Sequence, residues 1–88
     1  LRQMKKVVIY TGQQCAHCNW AKELFDRKNI EFTEYNIAMD PAKREEMLKK
    51  SNGARTIPQI FIGDKHVGGN IELQALEKNG KLNSLLDI

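Results

Sequence analysis

Two cysteines three residues apart, Cys15 and Cys18, restrict this chain more than any other feature of its sequence. A disulfide between them would close a very short loop and would therefore add little stability. Zinc is a weaker interpretation, because a structural site usually needs two ligand pairs, only one CxxC is present, and His17 and His66 are the only histidines. We interpret the pair as catalytic thiols that work in a reducing compartment.

The apolar pattern changes its period at the cysteines. Lys5 to Tyr10 is a β-branched and aromatic run typical of a buried strand, whereas the apolar residues from Trp20 to Phe25 recur at helical spacing. Further elements are predicted as a strand over 30–37, a helix that Asp40 caps and that ends near Ser51, a strand over 58–62, a turn at Gly63-Asp64, a strand over 65–67, a helix that Asn70 caps and Gly80 stops, and a short turn over 82–86.

The element order β-α-β-α-β-β-α predicts an α/β fold. Its first two strands should be parallel because a crossover helix joins them, and its last two antiparallel because a tight turn joins them. We expect a four-stranded mixed β-sheet flanked by helices. The predicted core residues are Trp20, Leu24, Phe25, Phe32 and Phe61, while His66 is expected on the strand surface without a role.

Composition and charge exclude several classes of function. With 88 residues, 41% of them hydrophobic and 28% charged, the chain fits one globular domain over 1–88. A net charge of +3 is too small and scattered to indicate nucleic-acid binding. No apolar run approaches the ~18 residues of a membrane helix, and we expect no signal peptide. We therefore expect a cytoplasmic monomer, with Leu1 to Gln3 as a processing remnant.

The position of Cys15 suggests a chemical role. It falls at the start of the first predicted helix, where unpaired backbone N–H groups and the helix dipole stabilise an anion. A thiolate is the anion that reacts in disulfide exchange, so Cys15 is the candidate nucleophile. Cys18, one turn later, should be more enclosed and act as the resolving thiol. Two buried cysteines that are neighbours by chance remain the plainer alternative.

Four segments of the sequence resemble the glutaredoxins, in particular the small bacterial-type dithiol members. They are VVIYT before the cysteines, CAHC itself, TIPQIFI at 56–62 and the GG of HVGGNIEL. DPAKREEML and ALEKNGKL match more loosely. The resemblance implies a thioredoxin-like fold and a thiol-disulfide oxidoreductase with glutathione as co-substrate. It also implies disulfide-containing or glutathionylated proteins as partners. From the number of available ligands we expect no metal site.

The resemblance implies which residues contact glutathione. These are His17, Thr56, Ile57, Pro58, Gly69, Asn70 and Ile71. Pro58 would follow a cis peptide bond, and Ile57 would pair its backbone with the cysteinyl unit as an edge strand does. Gly69 would allow close approach, and Asn70 and Ile71 would hold the γ-glutamyl carboxylate at a helix N-terminus.

Three positions depart from the family pattern. Ala16-His17 stands where Pro-Tyr is common, Gly12 where a Lys often pairs with the glycyl carboxylate, and Asn70-Ile71 where Cys and often Asp are found. A His beside the first cysteine resembles the strongly oxidising periplasmic disulfide-bond proteins, because imidazole can carry positive charge next to the thiolate. The sequence therefore predicts a potential above the ~−200 to −230 mV of glutaredoxins.

Two other functions stay open at this point. One is an electron carrier that a reductase reduces in place of glutathione, as in redoxins specific to ribonucleotide reductase. The absence of Lys at Gly12 mildly favours it. The other is a dimer in which Cys15 of each chain and two glutathiones hold a [2Fe–2S] cluster, which we do not favour.

Overall fold

The computed structural model describes residues 5–88, in which four strands and four α-helices alternate much as predicted. The strands are β1 (Val7–Thr11), β2 (Thr33–Asn36), β3 (Gln59–Ile62) and β4 (Lys65–Gly68). The helices are α1 (Ala16–Arg27), α2 (Pro41–Lys50), α3 (Asn70–Lys78) and α4 (Leu82–Leu86), with a short 3₁₀ turn at Ile37–Met39. The remnant expected at Leu1 to Gln3 lies outside the described residues.

The four strands form one mixed sheet in the order β2-β1-β3-β4. β1 is parallel to β2 and antiparallel to β3, and β3 is antiparallel to β4. All five residues of β1 are buried, as expected of an apolar run at the centre of a sheet. β2 is shorter than predicted, because it pairs with β1 only from Thr33 to Asn36. The predicted four-stranded mixed sheet is confirmed.

Alternate residues of β1 face two separate cores. Val7 and Ile9 pack with α1, α3 and α4, whereas Val8 and Tyr10 pack against α2. The first core is the larger; with Val7 and Ile9 it contains Ala21, Leu24, Phe25, Ile30, Ile60, Ile62, Leu73, Leu82 and Leu86. The second adds Met47 and Phe61. Helices therefore cover both faces of the sheet. This packing fixes the position of the carboxyl end of β1, where the chain passes into α1.

Local sequence sets where α2 begins and where α1 and α2 end. The Asp40 carboxylate accepts the Lys43 N–H at 3.1 Å, and Pro41 takes the first helical position, as predicted. Asn29 and Asn52 follow α1 and α2 in the left-handed region, at φ of 58° and 60°. No helix within residues 5–88 combines the length and the apolar character needed to cross a membrane.

Two sequence predictions about the helices are wrong. Trp20 is 51% exposed rather than in the core, because the buried face of α1 is centred on Ala21, and the preceding residue points about 100° away. The N-cap of α3 is Gly69 rather than Asn70, which is the first residue of the helix. The Glu72 carboxylate accepts the Gly69 N–H at 2.8 Å, which is the half of a capping box that does not require an N-cap side chain.

A polar network joins α2 to the sheet. The buried Tyr10 hydroxyl donates to Glu46, and Lys43 Nζ lies 3.2 Å from Glu46 Oε1 and 3.9 Å from the centroid of the Tyr35 ring. The hydrogen bonds from Tyr10 and Lys43 hold the pKa of Glu46 below its ordinary value of 4.5. Since the lowered pKa belongs to the folded state, Glu46 stabilises the fold above about pH 4.5 and stops doing so as the pH falls further.

We expect Tyr10→Phe to lower stability by about 1 kcal/mol at pH 7, because it removes a hydrogen bond to a partly exposed charged group. The difference from wild type should shrink by roughly half or more at an acidic pH below the folded-state pKa of Glu46, because the acceptor is then uncharged in both proteins. Urea unfolding at the two pH values measures this. Glu46→Gln is the control. It removes the titrating carboxylate, so its stability should lose the pH dependence that Glu46 contributes. An equal difference at both pH values would contradict the assignment.

Candidate active site

Cys15 and Cys18 lie where β1 passes into α1. Cys15 is the N-cap of α1 with extended backbone angles (φ −118°, ψ 100°), and its Sγ accepts the Cys18 N–H at 3.0 Å. The two cysteines form a disulfide with a Cα–Cα distance of 5.2 Å. Cys15 is partly exposed, whereas Cys18 is only 1% exposed. The predicted position of Cys15 and the predicted enclosure of Cys18 are confirmed.

The end of β1 is fixed from the side by charged groups. The hydroxyl of Thr11, which is buried, donates to Glu34 Oε2 at 2.7 Å, and Lys22 Nζ donates to the same oxygen at 3.0 Å. Partial burial raises the pKa of Glu34, but these hydrogen bonds and the Lys22 charge outweigh it and leave the pKa below its ordinary value. A carboxylate thus anchors both the strand before the cysteines and the helix after them.

The segment Thr56-Ile57-Pro58 contains the implied cis bond, between Ile57 and Pro58. Gln59 holds this segment, because its buried Nε2 donates to the Thr56 carbonyl at 2.9 Å and to the Thr56 hydroxyl at 3.1 Å. Its Oε1 lies 2.6 Å from His66 Nε2. The prediction that His66 has no role therefore needs correction: it is exposed on β4, but it bonds to Gln59 and stacks on Phe61.

Gly12 lies against the side chain of Ile57. A Cβ added to Gly12 would be 2.5 Å from Ile57 Cδ1, closer than two carbons can approach. A larger residue at position 12 therefore requires the Ile57 side chain to turn away. In the sequence Gly12 is visible only as a missing lysine, because its contact with Ile57 depends on the tertiary structure.

A shallow cavity of about 160 Å³ brings most of the predicted binding residues together. It is lined by His17, Thr56, Pro58, Gly69, Asn70, Ile71 and Glu72. Ile57 was predicted to bind the ligand but does not line the cavity. Glu72 was not predicted but does line it. A larger depression of about 580 Å³ is lined by residues within 26–32. It lies at the C-terminal end of α1, whereas the cysteines lie at the N-terminal end. Of these two cavities the smaller one adjoins the CxxC segment, and we take it as the candidate binding site.

His17 connects the cysteine segment to α3. Its Nδ1 lies 3.2 Å from Asn70 Nδ2, and its ring packs edge-on against Trp20 with centroids 4.9 Å apart. Asn70 is 5% exposed, so its side chain is enclosed beneath the cavity. Across residues 5–88, no three His, Cys, Asp or Glu side chains are grouped so as to hold a metal ion.

Comparison with known proteins identifies the family. The family model described as glutaredoxin matches residues 7–67. Glutaredoxin 3 of Escherichia coli (strain K12) is 47% identical over 83 residues, which cover 94% of this chain and 99% of that protein. The chain belongs to the glutaredoxin family. A Pseudomonas aeruginosa glutaredoxin is also 47% identical over 83 residues, covering 94% of this chain and 98% of its own.

Solved glutaredoxin structures agree with this assignment. The solution structure of a Brucella melitensis glutaredoxin has a TM-score of 0.81 at 49% identity and covers 97% of this chain and 91% of its own. A buckwheat glutaredoxin–glutathione complex has a TM-score of 0.82 at 27% identity, with 97% and 79% covered. The resemblance and the thioredoxin-like fold inferred from the sequence are confirmed.

The reduction potential of this glutaredoxin stays a prediction. We expect it to lie above about −200 mV, and we expect His17→Tyr to lower it, because the variant loses an imidazole beside the thiolate. Anaerobic equilibration with glutathione redox buffers, followed by thiol alkylation and mass spectrometry, measures both proteins. A potential at or below about −230 mV, or no difference between the two proteins, would contradict the prediction.

Proposed function

We propose that this glutaredoxin uses glutathione to reduce protein disulfides and protein–glutathione mixed disulfides, acting as one domain in the cytoplasm. The observation that carries the proposal is the placement of Cys15. It is a partly exposed cysteine at the N-cap of α1, with Cys18 in disulfide distance and a cavity beside the segment that joins them. Family membership supports the same chemistry.

In the proposed reaction, the Cys15 thiolate attacks the glutathionyl sulfur of a mixed disulfide. The bond from that sulfur to the protein breaks, and the protein thiolate leaves and takes up a proton. A second glutathione thiolate then attacks the same sulfur, which releases Cys15 and forms glutathione disulfide. Alternatively, Cys18 attacks the Cys15 sulfur and releases glutathione. The helix N-terminus and the Cys18 N–H favour Cys15 as a thiolate, both as nucleophile and as leaving group.

We propose that glutathione occupies the 160 Å³ cavity. The start of α3 offers backbone N–H groups suited to a carboxylate. Because Glu72 already accepts the Gly69 N–H, that carboxylate would depend on the N–H groups of Asn70 and Ile71. Thr56 and Pro58 also line the cavity, and Ile57 lies between them in the sequence. The glutathione complex of the buckwheat relative supports glutathione as the ligand.

The test is turnover of a glutathionylated peptide with glutathione, glutathione reductase and NADPH. We expect sustained NADPH oxidation that depends on both glutathione and this protein. If glutathione supports no turnover but thioredoxin reductase with NADPH does, the proposal is wrong and the reductase-fed carrier replaces it. The observation that favours this second candidate is that position 12 is Gly, with no lysine for the glycyl carboxylate and no room for a side chain unless Ile57 turns away.

A [2Fe–2S] cluster fits the residues of one chain poorly. Such a cluster is held by four thiolates, whereas this chain offers only Cys15 as an accessible thiol, because Cys18 is buried. The missing ligands would have to come from a second chain and from glutathione. We propose a monomer without a cluster. Protein purified anaerobically should be colourless, and a brown dimer on size exclusion would contradict the proposal.

A further inference from the structure

His17 is exposed, yet two neighbours fix its ring. It lies between the two cysteines in sequence, with the Trp20 ring packed edge-on at 4.9 Å. Its Nδ1 is 3.2 Å from the amide nitrogen of Asn70, which is 53 positions later in the chain. A ring bonded at one nitrogen and packed at one edge has a defined orientation. The other nitrogen, Nε2, has no hydrogen-bond partner within residues 5–88.

Asn70 is itself oriented by Gln74, one turn further along α3. Gln74 Nε2 donates to Asn70 Oδ1 at 3.0 Å, which directs the amide oxygen of Asn70 towards Gln74 and its NH₂ group towards His17. An NH₂ group can only donate, so His17 Nδ1 must accept. A neutral imidazole that accepts at Nδ1 carries its hydrogen at Nε2. The pair Gln74–Asn70 therefore selects one tautomer of His17.

We propose that Asn70 and Gln74 are positioning residues that hold His17, in its neutral form, as the Nε2–H tautomer, so that this N–H can donate to an oxygen of the ligand in the adjoining cavity. His17 lines that cavity together with Thr56 and Ile71. The matching ligand group is a peptide carbonyl or carboxylate; this part rests on the proposed function. The side chain of Asn70 thus acts on the CxxC segment, while its backbone N–H remains available to the ligand.

Gln74→Glu is the informative variant, because a carboxylate can only accept. The NH₂ group of Asn70 should then turn to Glu at position 74 and present Oδ1 to His17, which makes Nδ1 the donor. Ala75→Glu is the matched control. It adds the same charge at the next position, which is exposed and outside the hydrogen-bonded chain.

Long-range ¹H–¹⁵N correlation spectra of the oxidised proteins at pH 8 report the tautomer directly. Wild type and Ala75→Glu should show His17 as Nε2–H, and Gln74→Glu should show Nδ1–H. His66, the other histidine, is an internal reference, because it bonds to Gln59 and should not change. A wild-type Nδ1–H tautomer, or a Gln74→Glu spectrum identical to wild type, would overturn the proposal.

Turnover tests whether the tautomer matters for binding. In Gln74→Glu the KM for a glutathionylated peptide should rise about five-fold with kcat unchanged, as expected when one hydrogen bond to the substrate is lost. Ala75→Glu should keep the wild-type KM. A switched tautomer with unchanged KM would overturn the role in binding. If wild type shows no glutathione-dependent turnover, the proposed function fails, while the tautomer result still decides the positioning role.

Discussion

Replacing Cys15 with serine is expected to reduce glutathione-coupled turnover of a glutathionylated peptide by about 1,000-fold or more, as is typical when an enzyme loses its nucleophile. Cys15 is the cysteine that is both accessible and placed at the positive end of a helix. A serine hydroxyl is not ionised at neutral pH and cannot form the mixed disulfide. Coupled NADPH oxidation at fixed glutathione concentration measures the loss.

Cys18→Ser is the matched control, because it removes a thiol but keeps the backbone N–H that donates to Cys15 Sγ. We expect it to retain at least about a tenth of the activity on the glutathionylated peptide, since a second glutathione can release Cys15. Reduction of an intramolecular protein disulfide should suffer more. If Cys18→Ser were as inactive as Cys15→Ser, the route through a single thiol would be wrong.

Phe25→Ala is expected to lower the free energy of unfolding by about 3–5 kcal/mol, the range for truncating a buried phenylalanine. Phe25 is 0% exposed and packs in the larger core with its ring 6.0 Å from that of Phe32. A domain of this size has a total stability of only about 5–15 kcal/mol, so the variant should be close to unfolding. Urea denaturation followed by circular dichroism measures the change.

Trp20→Ala is the control for this prediction, because it truncates a larger ring on the same helix. Trp20 is half-exposed, and we expect a loss of about 1 kcal/mol or less. Comparable losses in the two variants would mean that the buried face of α1 has been assigned incorrectly.

The sequence predicted the fold well where local signals were sufficient. The apolar run of β1, the Asp40-Pro41 start of α2 and the Gly63-Asp64 turn each depend on residues next to one another. The error at Trp20 has a different origin. Trp20 and Ala21 were assigned to one stripe, but consecutive helical residues are 100° apart, and only packing against the sheet shows which of them is buried.

The site was predictable in the same uneven way. The role of Cys15 as N-cap follows from the change of period beside it. The bond between His17 and Asn70 joins residues 53 positions apart and depends on how α1 and α3 pack, which no local pattern encodes. The pairing of Gln59 with His66 is intermediate, since both lie on one hairpin and its register could have suggested it.

The contact between Gly12 and Ile57 has a consequence for how this sequence can change over time. Because any Cβ at position 12 meets Ile57 Cδ1, a substitution at 12 displaces a side chain in the segment beside the cavity. A change at either position should therefore be tolerated differently depending on the residue at the other. We expect the two positions to co-vary among relatives, so that a lysine at 12 is inherited together with a residue at 57 that leaves it room.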